Sequence, residues 1–237
     1  MLKTVASPPV VGDGVWQHSV AWAGDVEPGA LTRSLDIELP RELCRAVAKR
    51  QVEFLAGRFC AACALRAAGC ASVAVGLGAD RAPLWPDGFV GSITHTDGFA
   101  SAAVARATVL RGIGIDAERI MAARTAASIH RLVFGDGTGG ARTAGRGCPE
   151  GLSEEEWTTL VFSAKESLCK CLFPLTRQRL ELRDAEVVAC DFGAGTVTLR
   201  LAAGVRPHFA HRGFFTARWR LAPPCLYTAV ELRPVAS

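Results

Sequence analysis

Apolar and polar positions along the chain change their period several times, and each change marks an element. Residues 15 to 22 (VWQHSVAW) put Trp16, His18, Val20 and Trp22 on one parity, which predicts a first strand. From Pro40 through Ala68 the chain is rich in strong helix formers, with Pro at the expected start and Gly69 at the expected stop. This predicts one long helix or two abutting ones. Ser72 to Val75 reads as a strand. The run RAPLWPDG from Arg81 forces a loop, and Phe89 to His95 and Phe99 to Arg106 then read as a hairpin around Thr96-Asp97-Gly98. Val109 to Glu118 alternates again, with Ile113 and Ile115 on one side and Gly112, Gly114, Asp116 and Glu118 on the other.

Arg119 to Phe134 reads as helical. Residues 135 to 151 hold seven glycines and a proline, more backbone entropy than an ordered element carries, so a mobile loop is expected there. Ser153 opens a second long helix, SEEEWTTLVFSAKESLCKCLF. It has a capping box in Ser153 and Glu156, an acidic first turn, a core stripe of Trp157, Leu160, Val161, Ala164, Leu168 and Leu172, and an expected stop at Pro174. Glu186 to Phe192, Thr196 to Leu201, Phe214 to Leu221 and Leu226 to Leu232 are β-rich and separated by Gly or Pro turns. The order is strand, helix, three strands, then strand, helical region and several strands. It predicts an α+β chain of two similar halves, residues 1–106 and 107–237, each an antiparallel sheet packed on a long helix.

Composition narrows the function classes. With 49% hydrophobic residues, 21% charged and 27 Lys+Arg against 23 Asp+Glu, the chain is neither disordered nor a cationic nucleic-acid arm. Its longest apolar runs fall far short of the roughly 20 residues a bilayer span requires, and Met1 to Gly24 lacks the pattern of an export signal. Nine cysteines, an odd number without an export signal, point to reduced thiols and a cytoplasmic setting.

Four features carry candidate chemistry. Asp116 and Glu118, two apart on a strand, share a face and can share one hard cation, or they are a strand end fraying into solvent with Arg111 or Arg119 as counter-charge. Gly112 and Gly114 on the same face leave open space, as where a ligand or another backbone approaches. Glu166 and Lys170 lie one helical turn apart, away from the core stripe. They read as a solvated pair, or as a pair in a cleft because Phe162 and Phe173 lie near the same azimuth. His95 ends a hairpin strand with Ser92 upstream, either structural or a holder of phosphate, and it is expected beside the strand of Asp116. Arg50 and Arg58, eight apart on the long helix, are an anion clamp or ordinary surface arginines.

Other patterns compete. Cys60, Cys63 and Cys70 lack a second ligand pair and read as small core residues, and His208 and His211 close no cluster. Gly112-x-Gly114-x-x-Ala117 mimics a dinucleotide fingerprint, although Asp116 and Glu118 would repel a pyrophosphate there unless a divalent metal stood between.

Three carboxylates with Lys170, His95 and the helix arginines describe a site for Mg²⁺ and a pyrophosphate-bearing substrate. The segments FLAGRFCA, PLWPDGFVGSITHTDGFASAAVA, GIGIDAE and FSAKESLCKCLF, in that order across residues 54 to 173, resemble the 4'-phosphopantetheinyl transferases of the monomeric surfactin and enterobactin type. The resemblance implies a pseudo-dimer of two α+β halves with coenzyme A in the cleft between them. It implies that a serine of an apo acyl or peptidyl carrier protein attacks the β-phosphorus of coenzyme A, releasing 3',5'-adenosine bisphosphate.

It also implies roles for matching positions: Asp116, Glu118 and Glu166 as Mg²⁺ ligands, Glu166 also as general base, and Lys170 and His95 on the pyrophosphate. Arg50 and Arg58 match holders of the 3'-phosphate, Ser92 lies beside the nucleotide, and Lys165 is a further coenzyme A contact. Where other members carry a lysine near the adenine, this chain offers Arg81. Arg142 and Arg146 in the glycine-rich stretch are expected to meet an acidic carrier helix. Two other classes compete, a nucleotide-binding oxidoreductase built on the Gly-x-Gly turn and a carrier-binding module that has lost catalysis.

Overall fold

A computed structural model describes residues 1–78, 80–135, 148–202 and 213–234. Arg142, Arg146, His208 and His211, with the readings attached to them, lie outside the described residues. The chain divides into two compact units, Met1–Arg111 with the segment from Arg233 onward, and Gly112–Leu232. The expected division at 106/107 differs because Val109 and Leu110 turn back to donate to the Arg106 carbonyl, so the next strand starts only at Gly112.

In the first unit, β1 (Lys3–Val5) and β2 (Val15–Ala21) precede α1 (Pro28–Leu35) and α2 (Ala48–Ala67). The ladder of β3 (Gly76–Leu77) with β4 (Pro83–Leu84) and the hairpin β5 (Phe89–Thr96) and β6 (Phe99–Arg106) follow. The main sheet has the order β1-β2-β6-β5, all antiparallel. Thr96 pairs with Phe99, leaving Asp97-Gly98 as a two-residue turn in which Gly98 takes a φ of +73°, open to glycine at no steric cost. Helix α2 buries Ala56, Cys60, Ala61, Ala64 and Leu65 against Val20, Ala100, Ala102 and Val104. Small residues on both surfaces let helix and sheet approach closely.

Two expectations for this unit fail, and one helix was not expected. Residues 40 to 47 form turns closed by Leu43 and Cys44 N–H groups on the Pro40 carbonyl, and α2 begins only at Ala48. Good helix formers do not extend a helix whose preceding residue, Val47, is extended. Ser72 to Val75 is not a strand. Val73 and Val75 pack on the core without a ladder partner, and pairing starts at Gly76 opposite Leu84. Helix α1 is unexpected from the sequence because Glu27, an uncommon cap residue, supplies its N-terminal acceptor.

The second unit starts with β7 (Gly112–Arg119), α3 (Ala123–Phe134) and α4 (Glu154–Thr176). After a 3₁₀ turn (Leu182–Asp184) come β8 (Ala185–Asp191), β9 (Thr196–Leu201), β10 (Phe214–Ala222) and β11 (Cys225–Leu232). The sheet order is β7-β11-β10-β9-β8, again antiparallel. Trp157, Leu160, Val161, Ala164, Leu168 and Leu172 of α4 are all enclosed against Val197, Leu199, Ala217, Leu226 and Val230. The capping box at Ser153 and Glu156 is present in both directions. Pro174 does not stop α4. It sits in the last turn, where one lost backbone donor matters little, and Arg177 in the left-handed region closes the helix on the Phe173 carbonyl at 2.8 Å.

Candidate active site

Gly112 opens β7 and Gly114 lies inside it, neither in a strand-to-helix turn, which removes the dinucleotide fingerprint. Nor is the space beside them open. A Cβ on Gly114 would lie 1.8 Å from the Ser167 carbonyl oxygen, and one on Gly112 would lie 2.7 Å from that of Cys171. The glycines let the backbone of α4 rest on β7. That contact brings Glu166 and Lys170 over the strand that carries Asp116 and Glu118.

Lys170 Nζ donates to Asp116 Oδ1 at 2.6 Å and to the Ile115 carbonyl at 3.2 Å. Asp116 is only 5% exposed, whereas Glu118, Glu166 and Lys170 are half-buried. Burial is the main force that pushes the Glu118 carboxyl up to about 7, and the negative field of Asp116 and Glu166 adds to it against the single opposing Lys170. Glu166 is raised as well, first by burial and then by Asp116, with Lys170 pulling the other way. The four groups therefore share one field, with more negative than positive charge. Among the described residues, no three His, Cys, Asp or Glu side chains converge on a single point as they stand.

Lys165 has a different place. It is 3% exposed, and its ammonium donates to the Val133 carbonyl at 2.5 Å and the Leu182 carbonyl at 2.8 Å. Burial lowers its pKa to about 8. Its hydrogen bonds tie the end of α3 and the 3₁₀ turn to α4, which is not the position of a ligand contact.

In the first unit a second charged cluster forms where α2 begins beside the β5–β6 turn. Arg50 Nη1 lies 2.8 Å from His95 Nε2, and His95 Nδ1 lies 3.5 Å from Glu53 Oε2. A guanidinium only donates, so Nε2 accepts and the ring proton sits on Nδ1, facing the Glu53 carboxylate. Glu53 also lies 3.8 Å from Arg50, and Lys49 bonds Asp97 on the turn at 3.0 Å. Glu53, unnoticed in the sequence, is 8% exposed, and burial raises its pKa while Lys49 and Arg50 pull it down. Its only sequence signal was the Arg50-x-x-Glu53 spacing, because its third partner lies 42 residues away.

Among the described residues no ladder joins His95 to the strand of Asp116, and no shared contact joins Arg50 to Arg58. His95 is on β5, whose ladder partner is β6, whereas β7 pairs with β11 in the other sheet. Arg50 and Arg58 do not share a ligand set either. Arg58 is buried, donates to the Gly76 carbonyl at 3.1 Å, lies over the Phe54 ring and lines a cavity of about 670 Å³ with Leu35, Phe59 and Val75. Among the described residues its Nε has no hydrogen-bond partner, and burial lowers its pKa to about 10. Ser92 is buried on β5 opposite Ala103, and Arg81 is exposed in a turn with a φ of +66°.

Residues 39–105 match the family model of the 4'-phosphopantetheinyl transferase N-terminal domain, and residues 112–222 match that of the 4'-phosphopantetheinyl transferase superfamily. The chain is 37% identical over 199 residues to the 4'-phosphopantetheinyl transferase Svp of Streptomyces mobaraensis, covering 80% of this chain and 75% of that one. It belongs to the 4'-phosphopantetheinyl transferase family. The transferase Npt of Nocardia iowensis is 32% identical over 217 residues, 79% of this chain and 85% of its own. Enterobactin synthase component D of Salmonella typhi is 40% identical over 123 residues, 52% of this chain and 48% of its own. The chain is thus a phosphopantetheinyl transferase with the α+β fold of that family. Among the described residues no helix is long and apolar enough to cross a membrane.

Magnesium fits the donor set of this transferase in type and charge. Asp116, Glu118 and Glu166 offer hard oxygen atoms, and the upward push on Glu118, due first to burial and then to Asp116 and Glu166, marks a desolvated acidic group whose charge a dication would neutralise.

Proposed function

We propose that the chain transfers the 4'-phosphopantetheine arm of coenzyme A to a serine of an apo acyl or peptidyl carrier protein. In this reading it acts as a cytoplasmic monomer and releases 3',5'-adenosine bisphosphate. The observation that carries the reading is the shared field of Asp116, Glu118, Glu166 and Lys170 on β7 and α4, in a chain of this family. The nine free thiols support the cytoplasmic setting.

Asp116, Glu118 and Glu166 would hold Mg²⁺, which when bound supplies charge neutralisation and polarisation of the pyrophosphate. Glu166 takes the proton of the carrier serine as its oxygen bonds to the β-phosphorus, and its raised proton affinity suits that task. The bond from the β-phosphorus to the bridging oxygen then breaks, and the electron pair leaves with the adenosine bisphosphate. Lys170 donates to the phosphate on which charge develops. In the first unit, Arg50, oriented by Glu53, receives phosphate oxygens of coenzyme A, His95 joins it by taking up a proton on Nε2 in place of the Arg50 contact, and Arg58 and Ser92 serve the nucleotide end.

The test is to incubate purified protein with coenzyme A, Mg²⁺ and a panel of apo carrier proteins and record intact masses. A gain of one phosphopantetheinyl group is expected, absent with a chelator and in Glu166→Gln. No gain on any carrier, with folded protein and bound coenzyme A, would overturn the reading in favour of a binding module. Saturable NAD(P) binding without metal would favour an oxidoreductase.

A further inference from the structure

Ser163, Ser167 and Thr228 have no part in the roles above, yet all three are completely enclosed. Ser163 and Ser167 lie one turn apart on α4 and bracket the Thr228 hydroxyl of β11. Thr228 Oγ1 is 2.9 Å from Ser163 Oγ and 2.7 Å from Ser167 Oγ. Thr228 Oγ1 also donates to the Ser163 carbonyl at 2.9 Å, and Ser167 Oγ donates to the Thr228 carbonyl at 3.2 Å. Three hydroxyl protons serve four contacts where no solvent can replace one. The neighbouring core is aliphatic, with Leu160, Leu168, Leu226 and Val230. Apolar groups would fill these three places equally well, but they would not fix direction or height.

Position is what the acids need. In the ladder Thr228 stands directly opposite Asp116, and Leu226 opposite Glu118. On α4, Glu166 comes three residues after Ser163 and Lys170 three after Ser167, so the hydroxyl pair and the acid–base pair advance side by side along the helix. Lys170 closes a ring of contacts by bonding Asp116 at 2.6 Å. Helix α4 is therefore held to β7 and β11 by a hydroxyl cluster and by an ionic bond, with Glu166 on the turn between Ser163 and Lys170.

We propose that Ser163, Ser167 and Thr228 are positioning residues that set the height of α4 over β7 and thereby the gap between Glu166 and the Asp116–Glu118 pair. The proposal rests on the metal and proton roles given to those acids above. Metal affinity and kcat depend on that gap more than coenzyme A affinity does, because Arg50, His95, Arg58 and Ser92 of the other unit share the holding of coenzyme A.

Thr228→Val keeps the β-branched shape and removes the hydroxyl, and Thr228→Ser keeps the hydroxyl. The measurements are carrier loading, thermal unfolding, and Mn²⁺ titration followed by the free-ion electron paramagnetic resonance signal, which needs no turnover. In Thr228→Val we expect kcat to fall ~10- to 100-fold, as for a displacement of the order of 1 Å near the chemistry. Mn²⁺ affinity should fall about 10-fold, as for the loss of an outer-shell partner, with the KM for coenzyme A at saturating metal changed less than kcat. Thr228→Ser should restore both. Thr228→Val with wild-type kcat and Mn²⁺ affinity, or Thr228→Ser no better than Thr228→Val, would overturn the proposal alone. If Thr228→Val does not fold, Ser167→Ala is judged by the same two outcomes. Wild-type protein that binds no Mn²⁺ and loads no carrier would overturn the parent reading and this proposal with it.

Discussion

The two units share one plan, a long helix across an antiparallel sheet, but they place their charges at different points on it. In the first, the charged cluster sits where α2 starts and the β5–β6 hairpin turns, and Arg50 and His95 keep 48% and 32% of their side chains exposed. In the second, the charges lie in the middle of α4 and along β7, and the contact is closed by backbone against backbone. Charge at an element's end stays within reach of water and of a diffusing anion. Charge at its middle is desolvated, so burial raises its proton affinity and neighbouring groups then add to or oppose that rise. Burial raises both Glu53 and Glu118, but Lys49 and Arg50 oppose the rise at Glu53 while Asp116 and Glu166 add to it at Glu118.

Exchanging effects between the units would break this comparison. The largest is expected from Glu166→Gln, which should lower kcat by ~10²- to 10⁴-fold, the usual worth of a general base, with the KM for coenzyme A little changed. Arg50→Ala should do the reverse, raising that KM ~10-fold as one charge-assisted contact is lost. Steady-state kinetics in which both variants alter the same constant would end the division of labour.

Next in size are the glycines. Gly114→Ala would drive a Cβ into the backbone of α4 and should cost about 3 kcal/mol or more in urea unfolding. Gly57→Ala meets only Ile93 Cγ2, a methyl on a β-branched side chain and not a backbone atom, at 2.7 Å, and should cost about 1 to 2 kcal/mol. Equal losses would show that the two helix–sheet contacts are not built differently. Glu53→Gln should raise the KM for coenzyme A ~5-fold through loss of the charge that orients Arg50 and His95, about 1 kcal/mol, with kcat held. The smallest signal is chemical. Burial pushes the Cys60 and Cys171 thiols, one in each unit, up to about 12, so alkylation at pH 8 should modify exposed Cys44 and spare both.

What the sequence disclosed follows from range. The capping box at Ser153, the hairpin at Asp97-Gly98 and the stripe on α4 are decided within a few residues, and all three appear as read. The ends of α2 and the short β3–β4 ladder were not legible, because partners elsewhere set them: Leu84 pairs with Gly76, and the Pro40 turn consumes donors that would have begun a helix. The acids were recognisable from a two-residue strand spacing and a four-residue helix spacing. Glu53 and Thr228 were not, because each is defined by a partner more than 40 residues away. Gly114 was noticed, and of the two readings, a ligand or another backbone, it is the backbone of α4 that approaches.

Lys165 stands beside Glu166 in sequence, and its ammonium holds two carbonyl groups in the core of the second unit. Substituting it would orphan both carbonyls and weaken the seat of α4, so a mutational scan scored by product formation would rank this lysine among the groups that touch substrate. Scored instead by the abundance of folded protein, the same scan would separate it from Lys170. A fitness map of this chain therefore needs two axes before any residue on α4 is assigned to chemistry.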